Sequence, residues 1–207
     1  MWLSRFELSK ELAFSARAFD SYDWHQKLWD FFPDHPDASR KFLWRLDELE
    51  RGYQLWILSP AKPLCPTWLP ASDFVAPKEV PTKFFQYPKY HFAIRVNATK
   101  CISEPNKDGI MPRHGKRVPL IKESDLTDWL KRKGEAGGFS VLPDAFEIGP
   151  VVKHHFRKKG REGYHAGVDF RGMISITNRD VFFETYRQGI GGAKGFGFGM
   201  FLLAPIV

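Results

Sequence analysis

Short strand and helix patterns follow one another in the same order in both halves of this 207-residue chain. Alternating apolar and polar residues indicate strands, and apolar residues three to four positions apart indicate helices. In the first half the predicted elements are a strand over 2–8, a helix over 21–32 with Ser21 as candidate N-cap, a hairpin over 41–58, a short helix near 71–75 and a strand over 83–86. This β-α-β-β-α-β order is that of the ferredoxin-like fold.

The second half repeats the order with longer elements. Its predicted elements are a strand over 92–96, a polar loop over 103–116, a helix over 124–133 ended by Gly134, a hairpin with arms 139–158 and 164–177 around a turn at 159–163, a helix over 179–188 between Asn178 and Gly189, and a strand over 198–204. We therefore predict an α+β chain with two tandem ferredoxin-like (RRM-like) domains, residues 1–87 and 88–207. A single mixed α+β domain is the alternative, because the two halves show no clear sequence repeat.

Positive charge is concentrated in the second half of the chain. Residues 1–87 contain 11 Lys and Arg against 12 Asp and Glu, whereas residues 88–207 contain 20 against 12. The whole formal charge of +7 therefore arises from the C-terminal part, which favours a polyanionic partner. Nucleic acid is favoured over an acidic membrane, because no basic amphipathic helix of the membrane-surface kind stands out. A basic surface that serves only solubility is the alternative.

Composition and motif spacing exclude several classes of protein. The chain has two cysteines, so a disulfide scaffold is excluded, and Cys65 and Cys101 lack the spacing of a zinc site. No run of 18 apolar residues predicts a membrane span, and the first eight residues largely alternate between polar and apolar, unlike a signal peptide. We therefore expect a soluble cytoplasmic protein with no membrane partner, no metal and no cofactor.

One predicted helix carries a pair of side chains suited to proton transfer. Tyr22 and His25 lie three positions apart, so they share one face of the helix. Histidine, with an unperturbed pKa of about 6.5, can accept and donate protons near neutral pH. The tyrosine hydroxyl can assist where positive charge stabilises its phenolate, or it can orient a phosphate. The alternative is that both residues form the polar end of a packed stripe that continues through Trp29 and Phe32.

Three basic clusters are candidate contacts for a phosphate backbone. They are Lys153, Arg157, Lys158, Lys159 and Arg161 on the second hairpin, Lys131 and Arg132 at a helix end, and Arg113, Lys116 and Arg117 in or beside the polar loop. A two-stranded ribbon fits a nucleic-acid groove, and each neutralised phosphate releases counterions. The alternatives are a hairpin kept soluble by its lysines, a helix end whose cations complement the helix dipole, and a solvated loop.

A glycine-rich segment, residues 189–199, follows the last predicted helix and precedes the last strand. A dinucleotide fingerprint needs the opposite order, and the phosphate loop of NTPases needs Ser or Thr after its lysine, whereas Gly195 follows Lys194. Both nucleotide-binding interpretations therefore fail. Two remain open: close approach of the backbone to a phosphate with Lys194 as counter-charge, and a tight turn that packs helix against strand.

Several short motifs, taken in order, resemble one known family. They are MWLS at 1–4, YDWH at 22–25, FLWRL at 42–46, IRVNA at 94–98, GKRVPLIK at 115–122, WLKRK at 129–133, and the glycine-rich segment followed by LLAP at 202–205. The ordered set is similar to that of the CRISPR repeat-processing endoribonucleases, specifically the CasE group of type I-E systems. The glycine-rich segment after the last helix is the most specific of these motifs.

The resemblance implies a function for the candidate residues. It implies a metal-independent cut in precursor CRISPR RNA, just 3′ of the repeat stem-loop, with Tyr22 and His25 as the catalytic pair. The ribose 2′-OH would attack the scissile phosphate and leave a 2′,3′-cyclic phosphate. The basic hairpin over 153–161 would enter the major groove of the stem, and the chain would stay bound to the product among other Cascade subunits, without binding DNA directly. A non-catalytic module that holds guide RNA is the alternative.

Overall fold

A computed structural model describes residues 1–33, 42–103, 115–158 and 160–207. The helices are α1 (Lys10–Ser15), α2 (Ser21–Leu28), α3 (Glu123–Gly137) and α4 (Arg179–Gln188). The strands are β1 (Trp2–Ser9), β2 (Leu43–Leu49), β3 (Gly52–Ser59), β4 (Lys78–Glu79), β5 (Lys89–Val96), β6 (Thr99–Ile102), β7 (Lys116–Pro119), β8 (Phe139–Ile148), β9 (Val152–Lys158), β10 (Arg161–Ile176) and β11 (Phe201–Pro205). Short 3-10 turns cover Trp29–Phe31, Thr82–Phe85 and Lys194–Phe196.

Both halves of the chain form antiparallel sheets with the same strand order. The N-terminal sheet has the order β2-β3-β1-β4, and the main path of the C-terminal sheet has the order β11-β5-β10-β8. When only the four strands of each path are numbered in chain order, both sheets have the order 4-1-3-2, and their pairs are antiparallel. The predicted fold class, two tandem ferredoxin-like units, is confirmed. The domain boundary between residues 87 and 88 stays a prediction.

Two elements predicted in the first half are wrong. Residues 71–75 form turns and irregular structure instead of a helix, and residues 83–86 lie largely in a 3-10 turn instead of a strand. Six prolines between residues 60 and 81 explain this, because proline lacks an N–H donor and has a fixed φ. Phe85 still reaches the core, with its ring centroid 5.2 Å from that of Tyr186. The fourth strand is β4, which pairs with the start of β1.

Several helix boundaries differ from the prediction. The helix predicted over 21–32 is α2, which ends at Leu28 and is followed by the 3-10 turn Trp29–Phe31. α2 is capped by Asp20, so the predicted N-cap at Ser21 is wrong by one residue. α3 continues through Gly134, which the sequence predicts to end it. A Cβ at Gly134 would lie 2.6 Å from the carbonyl oxygen of Phe139, so glycine at this position serves close packing within the helix. The helix ends at Gly137, and its C-cap is Gly138, whose φ of 74° lies in the left-handed region.

Several strands of the structure differ from the predicted strands in number or in their bounds. The arm predicted over 139–158 is two strands, β8 and β9, which both pair with β10. Pro150 separates them, since proline cannot donate to a strand ladder. β10 begins three residues before the start of the predicted arm, and β11 begins three residues after the start of the predicted strand. α1 and the pair of β6 with β7 were not predicted, and residues 104–114 of the predicted polar loop lie outside the described residues.

Each sheet buries its own apolar cluster. Trp44 is fully buried in the N-terminal cluster, and Phe170 is fully buried in the C-terminal cluster. In the described part of the chain, no helix is both long and apolar enough to cross a membrane. Leu43 and Leu58, on N-terminal strands, pack into the C-terminal cluster. Apolar contact therefore joins the two sheets and helps to fix where α2 lies relative to the C-terminal hairpin.

Candidate functional site

The N-terminus of α2 is held by reciprocal capping. Asp20 Oδ1 accepts the backbone N–H of Tyr22 at 2.7 Å and of Asp23 at 3.0 Å. Asp23 Oδ2 in turn accepts the N–H of Phe19 at 3.1 Å. These bonds satisfy donors that a helix N-terminus leaves without partners inside the helix. Trp24 is buried in the N-terminal cluster, so capping and packing together set the orientation of the helix.

The candidate catalytic residues Tyr22 and His25 are both half-buried. The Tyr22 ring centroid lies 6.5 Å from that of Phe196 in the glycine-rich segment, and Lys158 Nζ lies 5.5 Å from the Tyr22 centroid. The His25 ring lies 6.3 Å from that of Trp29. His25 therefore packs beside Trp29 of the stripe predicted as the alternative, whereas Tyr22 contacts the glycine-rich segment, and both candidate side chains keep part of their surface accessible. Their catalytic roles stay a prediction.

The basic hairpin of β9 and β10 has two different faces, because alternate residues of a strand point to opposite sides. Phe156 and His165 stack with ring centroids 4.9 Å apart, and each centroid lies 4.6 Å from that of Phe196. This aromatic face holds the hairpin against the glycine-rich segment. On the opposite face, Lys153 Nζ lies 5.0 Å from the centroid of the Tyr164 ring.

The charged face and the tip of the hairpin are exposed. Arg157 forms an ion pair of 2.5 Å with Glu162, and both side chains are mostly exposed. Such a surface pair contributes little to stability. Lys158 and Arg161 pair across the end of the hairpin. Lys159, the remaining predicted contact here, lies outside the described residues.

Two histidines on the aromatic face of the hairpin favour the neutral form. Burial lowers the pKa of His154 and of His165. The positive charge of Arg95 also lowers the pKa of His154, against an opposing effect of Asp169. The His154 ring centroid lies 5.2 Å from that of Phe198, nearly perpendicular to it. The interface between the hairpin and the glycine-rich segment is therefore built from uncharged rings.

We expect this interface to loosen as the pH falls below about 6.5. Because the pKa of His154 and of His165 is lowered on folding, the unfolded chain takes up protons first. The stability that the neutral rings contribute is fully present above the pKa that these histidines have in the unfolded chain. It is lost as the pH falls towards their lower pKa in the folded protein. Hydrogen-exchange protection factors of the β9 amides should be smaller at about pH 5.5 than at about pH 7.5. His165→Phe should weaken this pH dependence, and an unchanged dependence in that variant would contradict the explanation.

The glycine-rich segment packs against both halves of the chain. The indole N–H of Trp44 donates to the carbonyl of Gly195 at 3.2 Å. Gly197 has a φ of 87°, and a Cβ there would lie 3.1 Å from the Trp44 ring, so this turn requires glycine. Gly192 forms an antiparallel bridge with Asn97, just after β5. The tight packing turn predicted from the sequence is therefore present, whereas approach to a phosphate stays a prediction.

The other predicted contacts lie on the C-terminal half. They are Lys116, Arg117, Lys131, Arg132 and Lys194, whereas Arg113 lies outside the described residues. Arg117 on β7 lies beside the glycine-rich segment, since a Cβ at Gly192 would be 3.7 Å from its Nη1. Lys131 and Arg132 are exposed on α3, which packs mainly against β8 and α4. Lys194 lines the depression between α3 and α4.

A ring of four charged side chains joins the two sheets, and the sequence analysis missed it. Arg45 Nε donates to both carboxylate oxygens of Asp47, at 2.9 and 2.8 Å. Arg95 donates to both oxygens of Asp169, at 3.0 and 2.9 Å. Ion pairs of 3.2 Å between Arg95 and Asp47 and of 3.7 Å between Arg45 and Asp169 close the ring. The ring thus ties β2 of the first sheet to β5 and β10 of the second.

The charges of the ring are mutually stabilised. Burial alone would raise the pKa of Asp169, but the hydrogen bonds and charge of Arg95, together with the charges of Arg45 and Arg171, lower it overall. Arg95 Nη1 also donates to the carbonyl of Leu46 at 2.8 Å. A signal was available in the sequence, because Arg45 stands between apolar residues on a predicted strand. Its side chain is only 3% exposed.

A cavity of about 400 Å³ lies where α2, the hairpin and the glycine-rich segment meet. Asp20, Trp44, Arg95, His154 and Phe198 are among its lining residues. The lining therefore comes from both halves of the chain.

Across the described residues, no group of three His, Cys, Asp or Glu side chains is arranged to hold a metal ion.

The chain matches a protein family along almost its whole length. The family is described as CRISPR associated protein, and the match covers residues 1–205. The chain belongs to this family. Both sheets, the basic hairpin and the glycine-rich segment of this CRISPR associated protein lie within the match.

Curated relatives and a solved structure agree with the family. The Cascade subunit CasE of Escherichia coli K12 is 30% identical over 203 residues, which cover 96% of this chain and 99% of that protein. The CRISPR-associated endoribonuclease Cse3 of Thermus thermophilus is 27% identical over 224 residues, covering 99% and 100%. A structure of Cse3 bound to a 19-nucleotide RNA superposes with a TM-score of 0.80 at 23% identity, covering 99% and 100%. The predicted resemblance to the CasE group is confirmed.

Proposed function

We propose that this chain is an endoribonuclease that cuts precursor CRISPR RNA just 3′ of each repeat stem-loop and stays bound to the product within a Cascade complex. Its two curated relatives are a Cascade subunit and an endoribonuclease by name. The observation that carries the proposal is the meeting of α2 with the basic hairpin, where Lys158 Nζ lies 5.5 Å from the Tyr22 ring centroid. The helix that carries the candidate proton-transfer pair thus meets an exposed cationic ribbon through Tyr22, which supports the proposal.

The cut uses a hydroxyl that RNA itself supplies. The ribose 2′-OH attacks the adjacent phosphate in line, and the 5′-oxygen of the next nucleotide leaves. The products are a 2′,3′-cyclic phosphate and a 5′-OH. His25 takes the proton from the 2′-OH or gives one to the leaving oxygen, and Tyr22 acts as its partner or orients the phosphate. The Lys158 ammonium offsets the negative charge that develops on the phosphate oxygens. Protein groups supply every step, so we propose that the reaction needs no metal.

In this proposal the hairpin of β9 and β10 binds the RNA stem. The major groove of an A-form stem is deep and narrow for single side chains, so a thin two-stranded ribbon or its tip is the element that enters it. The proposed phosphate contacts are Lys153, Arg157, Lys158, Lys159 and Arg161 on the hairpin, with Arg113, Lys116, Arg117, Lys131, Arg132 and Lys194 elsewhere. Of the two proposed domains, residues 1–87 carry the catalytic helix and residues 88–207 carry most of the positive charge. The logarithm of the affinity for RNA should fall linearly as the logarithm of the salt concentration rises.

One experiment tests the reaction. The protein is mixed with its repeat RNA in excess EDTA, and a matched RNA has hydrogen in place of the 2′-OH before the cut. We expect one cut 3′ of the stem in the first RNA, none in the second, and a 2′,3′-cyclic phosphate terminus by mass spectrometry. Tight binding of both RNAs without cleavage of either would favour a non-catalytic guide-RNA module. Cleavage that stops in EDTA would overturn metal independence.

A further inference from the structure

The two carboxylate oxygens of Asp20 contact two different elements of the site. Oδ1 caps α2 by accepting the N–H groups of Tyr22 and Asp23 at 2.7 and 3.0 Å. Oδ2 accepts the backbone N–H of Arg157, on β9, at 2.7 Å. Asp20 therefore connects the N-terminus of the candidate catalytic helix to the strand that carries the candidate RNA contacts, 137 positions away along the chain.

The bond to Arg157 uses a donor that the sheet itself leaves available. β9 pairs with β10 along one edge, and its opposite edge presents N–H groups that need another acceptor. Because Asp20 binds the main chain, the Arg157 side chain remains exposed beside Glu162. The next residue along β9 is Lys158, whose Nζ lies 5.5 Å from the centroid of the Tyr22 ring. The hydrogen bond between Asp20 and Arg157 is thus next in the chain to Lys158, the cation that approaches the candidate catalytic helix.

We infer that Asp20 is a positioning residue, which sets β9 against α2 so that Lys158 lies beside Tyr22 when RNA is cut. The inference rests on the proposed endoribonuclease function. It assigns to Asp20 an effect on the rate of cleavage rather than on the affinity for RNA. A catalytic group displaced by about 1 Å can lose about 100-fold in rate, so a single bond at this place has a measurable effect.

Asp20→Asn is the most selective test. The amide keeps one oxygen acceptor, which two helix N–H groups attract, and its NH₂ group then faces the N–H of Arg157. The helix cap survives, whereas the bond to the hairpin is replaced by two opposed donors. We expect the single-turnover cleavage rate at saturating protein to fall about 10- to 100-fold, with an unchanged dissociation constant for the repeat RNA. Circular dichroism checks that the variant is folded.

Two variants provide matched controls. Asp23→Ala removes a neighbouring carboxylate and its bond to Phe19 but touches no residue of the hairpin in the described contacts, so its cleavage rate should fall much less than that of Asp20→Asn. Arg157→Ala keeps the backbone N–H that Asp20 accepts and removes an exposed cation, so the dissociation constant for the repeat RNA should rise. Asp20→Asn should leave that constant unchanged, which separates the two effects.

A double-mutant cycle with Lys158→Met tests whether Asp20 acts through Lys158. If it does, Asp20→Asn slows cleavage much less in the Lys158→Met background than in the wild type. A wild-type rate in Asp20→Asn, an equal loss in Asp23→Ala, or full additivity with Lys158→Met would each overturn the inference. The proposed function is tested separately, because wild-type protein that fails to cut the repeat RNA refutes that function, whatever Asp20 does.

Discussion

Replacing His25 with alanine should slow cleavage of bound repeat RNA by about 10²- to 10⁴-fold, the usual contribution of a general acid or base. Affinity for the RNA should change little, because binding is assigned to the hairpin and to other basic residues. The measurement is the single-turnover rate at saturating protein, followed as the appearance of the 5′-OH product. The imidazole is half-buried on α2, so part of its surface is accessible for the proposed role.

His155→Ala is the matched control for this experiment. His155 is an exposed histidine on the charged face of the hairpin, so its loss should affect binding more than the saturated rate. Tyr22→Phe removes the hydroxyl and keeps the ring beside Phe196. A wild-type rate in His25→Ala would contradict our assignment and direct the search for a proton acceptor to Tyr22 or to Lys27, which lies two positions after His25 on α2.

Replacing Arg95 with methionine should lower the free energy of unfolding by about 2–4 kcal/mol. The variant leaves the carboxylates of Asp47 and Asp169, whose side chains are 22% and 26% exposed, with Arg45 as their shared cation. It also removes the donor to the carbonyl of Leu46. Urea unfolding followed by tryptophan fluorescence measures the change.

The control for Arg95→Met is Arg187→Met. Arg187 forms a 2.9 Å ion pair with Glu184 on the exposed surface of α4, and surface pairs of this kind contribute about 0–1 kcal/mol. Adding Asp169→Asn to Arg95→Met should recover part of the lost stability, because it removes an uncompensated carboxylate. Equal destabilisation by Arg95→Met and Arg187→Met would show that the charge ring does not hold the sheets together.

The parts of the fold that local patterns determine could be predicted from the sequence. The alternation in β1 and in the hairpin of β2 and β3 indicated strands correctly, and Asn178 and Gly189 marked both ends of α4. The errors arose where tertiary packing overrides local pattern. Phe85 is buried from a 3-10 turn after a proline-rich stretch, and Gly134 continues a helix because it packs against Phe139.

The candidate site could be predicted as separate pieces but not as an arrangement. Spacing placed Tyr22 and His25 on one helix face, and residue types identified the basic hairpin. No local rule brings Lys158 to Tyr22, or Asp20 to the N–H of Arg157, because these contacts depend on how the two sheets are packed. The charge ring was missed for the same reason, since its members come from three strands of two sheets.

The two faces of the basic hairpin give its residues different freedom to vary over evolution. Phe156 and His165 are tied to the glycine-rich segment through ring contacts, so substitutions there disturb the fold. Lys153, His155 and Arg157 alternate with them and point outward. If the outward set binds the stem as proposed, its substitution changes the contacts to RNA while the inward set keeps the ribbon in place.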